Sequence, residues 1–177
     1  MPPPIRVVLV PHSTAWAQAA QAEGARLADV LRDDLVAVHH IGSTAIPGIH
    51  AKPIVDLMPV VRGLTAVDEK VALLRKLGYA CWGEYGIAGR RYCTLDDPAT
   101  GRRRFQLHCF EAGNHEIRRH LAFRDYLRTH SEVAQKYDAE KQRCQRLYPA
   151  DSHKYSDAKA AWIVTHLAEA LAWYDSE

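Results

Sequence analysis

No apolar run in this chain approaches the roughly 18 residues that a membrane-spanning helix requires, so insertion into a bilayer is not expected. The cysteines, Cys81, Cys93, Cys109 and Cys144, stand singly with no Cys-x-x-Cys pair. The opening residues MPPPIRVVLV carry neither a basic segment nor a cleavage site. A reduced, cytoplasmic protein is therefore the expectation. Charge of one sign is also lacking: 23 Lys and Arg stand against 21 Asp and Glu, a formal net charge of +2. That balance calls for neither nucleic acid nor an anionic membrane as partner, although basic residues cluster locally in RRYC (90–93) and GRRRF (101–105). No repeat, low-complexity tract or long linker interrupts the 177 residues, 47% of which are hydrophobic. One domain with a sizeable core is expected.

Ile5 to Val10 reads as a short β-branched strand, and Ser13 is placed to cap a long helix over 14–31. Trp16, Ala20, Leu27, Val30 and Leu31 supply that helix with an apolar stripe for core packing. Leu35 to Ile41 and Pro53 to Val61 read as strands flanking a loop, and a helix over 65–77 is closed by Gly78. Three short strands follow, near Tyr79 to Trp82, Arg91 to Leu95 and Arg103 to Phe110, separated by turn residues that point to antiparallel pairing. From His115 the pattern is helical, with Leu121, Phe123, Tyr126 and Leu127 on one face. Ser131 and Ser156 are placed to cap two further helices, the last ending near Tyr174. The layout is α+β: a mixed sheet over about residues 1–112, then a helical tail over about 113–177.

The stretch HHIGSTAIPGIHAKPIVDLMPVV, residues 39–61, sets the functional question. Asp56 lies inside an apolar strand, where an ionised group costs several kcal/mol unless it has a partner or a metal. Gly42-Ser43, directly after a strand, is a turn whose backbone N–H groups can approach a phosphate closely; by itself such a pair is usually only a turn. A carboxylate brought alongside it would make an anion-binding lip facing a hard-cation ligand, as a Mg²⁺-nucleotide requires. His115-Glu116-Ile117-Arg118-Arg119-His120 is not a zinc-protease motif, because its histidines are five rather than four apart. No Walker A sequence occurs.

The segments HIGSTAIPGIHAKPIVDLMPVV, GEYGIAGRRYC, QLHCF, LAFRDYLRTH and YSDAKAAWI, in that order over nearly the whole chain, resemble the GrpB family, assigned to the nucleotidyltransferase fold of polymerase-β-like enzymes. In some actinobacteria a related domain is fused behind dephospho-CoA kinase. The resemblance implies that Gly42, Ser43 and Thr44 meet nucleotide phosphates and that Asp56 meets a divalent metal, Mg²⁺ or Mn²⁺. The wider superfamily carries a second acid two residues on, where this chain has Met58, a poor Mg²⁺ ligand that alternation places on the face of Asp56. A third acid, from a neighbouring strand, corresponds to His108; with His40 it would favour Mn²⁺, Zn²⁺ or Fe²⁺. His108 is equally readable as a satisfied histidine on a half-buried strand. Lys52, Arg90 and Arg91 have the chemistry to hold a triphosphate and equally that of solvated surface residues. Glu84 is either a further carboxylate at the site or a turn acid. Arg124, Asp125 and Arg128 suit a structural ion-pair network or a face closing over substrate, and Tyr155 and Lys159 lie one helical turn apart. The implied activity is metal-dependent transfer of a nucleotidyl group from a nucleoside triphosphate to a small acceptor. The alternatives are a nucleotide- or anion-binding accessory module for a protein partner, and a metal-dependent hydrolase.

Overall fold

A computed structural model describes residues 2–177. Its chain order is α1 (Ala15–Leu31), β1 (Leu35–Ile41), β2 (Val55–Val61), α2 (Leu64–Glu69), α3 (Val71–Lys76), β3 (Tyr79–Cys81), β4 (Arg90–Asp96), β5 (Arg103–Glu111), α4 (His115–Thr129), α5 (Ser131–Leu147) and α6 (Ser152–Tyr174). The residues divide into a sheet unit, holding Thr14–Ile41 and Ile54–Ile117, and a helical unit, holding Pro3–Ser13, Gly42–Pro53 and Arg118–Glu177.

The sheet unit carries five strands in the order β1-β2-β5-β4-β3, antiparallel throughout except for the central parallel pair β2 and β5. A parallel pair needs a crossover, which α2, α3 and the β3-β4 hairpin supply. Register determines the two faces. Asp56 pairs with Ile41 and Gln106, and Tyr92 pairs with His108, so Asp56, Met58, His108, Tyr92 and Arg90 share one face. His40 pairs with Leu57, Leu107 with Cys93, and Arg91 with Cys109, all on the other. This second face receives the helices: Tyr79 donates its hydroxyl hydrogen to the buried carboxylate of Glu23 on α1 at 2.8 Å, and Arg91 pairs with Asp68 of α2. Leu27, Leu31, Leu57, Leu74 and Leu107, all essentially inaccessible, mark the core.

In the helical unit, Ile46 and Ile49 pack with Leu127, Ala134 and Tyr137, joined by Phe123 and Trp162. The loop that begins with the Gly-Ser turn is thus part of a helical core. A smaller cluster joins Val7, Cys144 and Tyr155.

Several local expectations are corrected. Ile5 to Val10 forms no strand: its backbone bonds go to Ser152 Oγ, the Pro149 carbonyl and, through a single bridge, Ala51, so the ladder partners a strand needs are replaced by helix-end groups. The helix expected over 65–77 is broken at Lys70, with φ −95° and ψ 7°. The Lys70 ammonium donates to the Leu31 carbonyl at 2.8 Å, at the C-terminal end of α1, and pairs with Asp34. Gly78 ends α3 as expected, its N–H bonded to the Arg75 carbonyl at 2.9 Å. Thr14 rather than Ser13 precedes α1 and makes no side-chain cap bond. The residue before α5 is His130, also without a side-chain cap. α6 starts a turn earlier than expected because Asp151, not Ser156, caps it, accepting from the His153 and Lys154 N–H groups. Val30 is only partly buried, and Glu23 takes a place in the buried stripe of α1.

Candidate functional site

β2 is buried along its length except at Asp56, whose side chain is 25% exposed. His108 Nε2 lies 3.5 Å from Asp56 Oδ1. On the other side of the imidazole, Nδ1 lies 3.2 Å from Arg90 Nη1. A guanidinium only donates, so Nδ1 is the acceptor and the neutral ring carries its proton on Nε2, towards Asp56. At 3.5 Å that N–H is beyond ordinary hydrogen-bond length from the carboxylate. Tyr92 supports both partners: the Arg90 guanidinium stands 4.8 Å over its ring and His108 meets it edge-on at 5.3 Å. Burial, helped by the Asp56 charge, pushes the Tyr92 phenol above its ordinary range.

Arg90 is itself buried, and burial pulls its guanidinium below its usual value. It donates through Nε to the Glu84 carbonyl at 3.1 Å and through Nη2 to the Tyr85 carbonyl, holding the 84–89 turn in place. The exposed Glu84 closes the same turn, its carboxylate accepting the Gly89 N–H at 2.8 Å. Gly89 has φ 73°, and a Cβ there would meet Asn114 Nδ2 at 2.9 Å, so the turn admits only glycine without a shift. Glu84 therefore shapes the turn rather than adding a carboxylate to Asp56.

The expected arginine pair is split. Adjacent strand residues point to opposite faces, so Arg91 makes a bidentate pair with Asp68, at 2.6 and 2.8 Å, on the helix-covered face. The Arg91 hydrogen bond holds Asp68 below its ordinary carboxylate range. His40 is corrected for the same reason: it lies on the face opposite Asp56 and lines a cavity of about 440 Å³ with Ala17, Ala20, Gln21 and Gly24 of α1. Met58 does share the Asp56 face, but it is 0% exposed, so the second-acid position is sealed. Arg124 and Asp125 pair at 2.7 Å, with Arg128 3.9 Å from the same carboxylate, forming the ion-pair network.

Asp56 presents its carboxylate beside His108 on this face, and the Glu116 charge acts on Arg90. Among the described residues no three His, Cys, Asp or Glu side chains converge on a point. A resident zinc centre needs at least three protein ligands, and this donor set does not fit it. One carboxylate does fit Mg²⁺ or Mn²⁺, which proteins commonly hold through one or two acids plus substrate phosphates.

In the helical unit, Gly42 takes φ 71° and ψ −173°, a backbone region reserved to glycine, and opens the short 3₁₀ turn Ser43–Ala45, in which Thr44 is buried. Lys52 extends its ammonium to 5.5 Å from the Tyr155 ring centre. Lys159 stands 5.1 Å from the same ring and 3.5 Å from the Tyr137 hydroxyl. Lys141, 1% exposed, lies 4.9 Å from the Tyr137 ring and donates to the His50 carbonyl. Asp138 lies 3.5 Å from Lys141 and also takes the His50 N–H and Nδ1, each at 2.8 Å. Burial, reinforced by the charge on Lys159, brings Lys141 down to about 8 despite Asp138. Burial would push Asp138 up, but its bonds to His50 and the Lys141 charge outweigh that and hold it down. The unit thus gathers the ammoniums of Lys52, Lys141 and Lys159 and the Asp138 carboxylate around two buried tyrosines. Sequence reasoning named Lys52, Tyr155 and Lys159 but not Lys141, Asp138 or Tyr137. The i, i+1, i+4 spacing of the last three was the available signal, and a polar helix conceals it.

A family model described as GrpB protein matches residues 6–169. The UPF0157 protein YqkA of Bacillus subtilis is 37% identical over 171 residues, which make up 97% of this chain and 49% of that protein. The chain therefore spans about half of that relative's length. A dephospho-CoA kinase of Mycobacterium leprae is 29% identical over 95% of this chain and 47% of its own length. Among solved structures, the conserved protein GrpB from Enterococcus faecalis superposes with a TM-score of 0.88 at 34% identity, covering 94% of this chain and 99% of that one. A cytoplasmic RNA terminal U-transferase superposes with a TM-score of 0.50 at 15% identity, covering 75% and 44%. The latter likeness concerns fold: this chain has a nucleotidyltransferase-like α+β architecture. Among the described residues no helix is long and apolar enough to cross a membrane.

Proposed function

The chain belongs to the GrpB family, and from that premise we propose that it binds a nucleoside triphosphate with Mg²⁺ or Mn²⁺ and transfers a nucleotidyl group to a small acceptor. The observation that carries this reading is Asp56, a partly exposed carboxylate on an otherwise buried strand, set beside His108 and Arg90 in a nucleotidyltransferase-like fold. A carboxylate so placed is costly without a countercharge, and a cation arriving with phosphates supplies one. A bound ion would neutralise charge on the oxygens of the transferring phosphate.

The protein's own groups do the rest by position. Arg90 keeps the His108 proton on Nε2, where it is available to an oxygen on the Asp56 side. Taken by itself, the helical unit carries Lys52 and Lys159, compact ammoniums of the kind that attract phosphate, while Gly42, Ser43 and Thr44 keep the phosphate role that the family resemblance implies. Arg91 has no part in this role because Asp68 occupies its fork.

The test is calorimetric titration of metal-stripped protein with ATP, GTP, CTP and UTP, each with Mg²⁺ or Mn²⁺, alongside Asp56→Ala and Lys52→Ala. Binding that requires metal and is lost in Asp56→Ala supports the assignment; absence of binding under every pairing sinks it. A second reading, an accessory module that holds a nucleotide for a protein partner without turnover, draws on Met58. A fully buried thioether stands where the superfamily's second acid belongs. A dephospho-CoA kinase would be one such partner, a choice supported by the match to about half the length of one. Pyrophosphate release in the presence of candidate acceptors separates the two readings, since the accessory module binds and releases none.

A further inference from the structure

Cys81 and Cys93 are register partners across the antiparallel β3-β4 pair. The next residues along are joined by a backbone bond from the Trp82 N–H to the Tyr92 carbonyl at 2.8 Å, while the Tyr92 N–H bonds to the Gly83 carbonyl at 2.8 Å. Two residues therefore face Tyr92 in a bulge, and the cysteine pair is of the non-hydrogen-bonded kind, in which side chains approach most closely. Their sulfurs are 2.8 Å apart, the Cys93 thiol donating to Cys81, so about 0.8 Å of approach would complete a bond of ordinary disulfide length. The two differ in access: Cys93 is 1% exposed, whereas Cys81 is half-buried. Both line a cavity of about 190 Å³ that Arg75, Arg91 and Asp68 also border. The Cys93 hydrogen bond, aided by the Arg75 charge, holds the Cys81 thiol below its ordinary value. The same bond and burial hold Cys93 well above its own.

We propose that Cys81 and Cys93 form a peroxide-sensitive pair whose oxidation to a reversible disulfide ties β3 to β4. The Cys81 thiolate attacks hydrogen peroxide, breaking the O–O bond to give a sulfenic acid and hydroxide, which takes up a proton to become water. The Cys93 sulfur then displaces the sulfenic oxygen, its proton leaving with that oxygen as a second water. Two thiols are oxidised and one peroxide is reduced to two waters; a dithiol then reduces the disulfide to the two thiols and is itself oxidised to a disulfide. The bond lies three residues before the 84–89 turn and three residues after Arg90, so it stiffens the strand pair that carries the Arg90 anchor. This inference does not rest on the proposed nucleotide chemistry.

The experiment treats the full chain with hydrogen peroxide, alkylates it under denaturing conditions and maps its peptides without reduction. A Cys81–Cys93 cross-linked peptide that dithiothreitol abolishes is expected. In Cys93→Ala, oxidation should stop at a sulfenic acid on Cys81, trapped by dimedone; Cys81→Ser should leave Cys93 unoxidised; Cys109→Ser should behave as wild type. Circular dichroism of each variant verifies folding, and the exposed-side Cys81→Ser keeps the test decisive if Cys93→Ala unfolds. Absence of the cross-link in folded wild-type protein, or oxidation of Cys93 at an unchanged rate in Cys81→Ser, overturns the proposal.

Discussion

Replacing Arg90 with alanine removes more than a charge. The guanidinium is buried, donates to the carbonyls of Glu84 and Tyr85, contacts His108 Nδ1 and stands 4.8 Å over the Tyr92 ring. A hydrogen bond to a charged donor contributes about 1.5–3 kcal/mol and a desolvated cation–π contact up to about 2. These overlap, and removing a buried charge recovers desolvation that opposes them, as the lowered Arg90 value indicates. The expected net loss is about 2–4 kcal/mol. For a chain of this length that corresponds to a fall in Tm of roughly 5–15 °C. Urea denaturation gives the free energy, provided the m-value is unchanged. Arg90→Lys retains the charge but lacks the fork, so it should lose more than half as much, while hydrogen exchange at the Gly89 amide accelerates in both variants. A loss below about 0.5 kcal/mol in Arg90→Ala, or a lysine variant equal to wild type, would refute the claim that the fork holds the 84–89 turn.

Four other substitutions test separate parts of the structure. Met58→Asp puts an acid into a fully buried position, so it should destabilise by several kcal/mol and gain no Mg²⁺ affinity; a stable, tighter-binding variant would show the position open to the ion. Met58→Ala should cost about 2–5 kcal/mol by leaving a cavity. Lys141 has a folded-state value of about 8 against an ordinary 10.5, so between those pH values the unfolded chain binds more protons and stability rises with pH. The stability difference between wild type and Lys141→Met should therefore climb by up to about 3 kcal/mol from pH 8 to 10.5, and a flat difference would contradict the buried ammonium. Tyr79→Phe strips the buried Glu23 of its hydroxyl donor, leaving Arg26 at 2.8 Å, and should cost about 1.5–3 kcal/mol by thermal or urea melting.

The sheet was legible because its information is local. β1 matches its expected bounds, and β2, β4 and β5 fall within two residues of theirs, since short apolar or alternating runs bounded by turn residues carry their own signal. Asp56 was equally legible: a carboxylate in an apolar strand announces itself against its neighbours. Caps were less so, because Ser13, Ser131 and Ser156 have the right side chain but capping depends on a backbone geometry that several nearby residues can supply.

What the sequence determined by itself was therefore the α+β class, the order of the elements and the identity of the one carboxylate that interrupts the buried strand. Tertiary structure alone decided which side chains keep company with it. A shift of one residue along a strand reverses the face, so Arg90 reaches His108 while Arg91 goes to Asp68, and His40 faces away from Asp56. The cluster of Lys52, Lys141 and Lys159 around Tyr137 and Tyr155 joins residues as much as 107 positions apart, and nothing in a polar helix reveals that one of its lysines is buried. Periodicity reports which face a residue occupies, but the partner opposite that face is set by packing between distant segments.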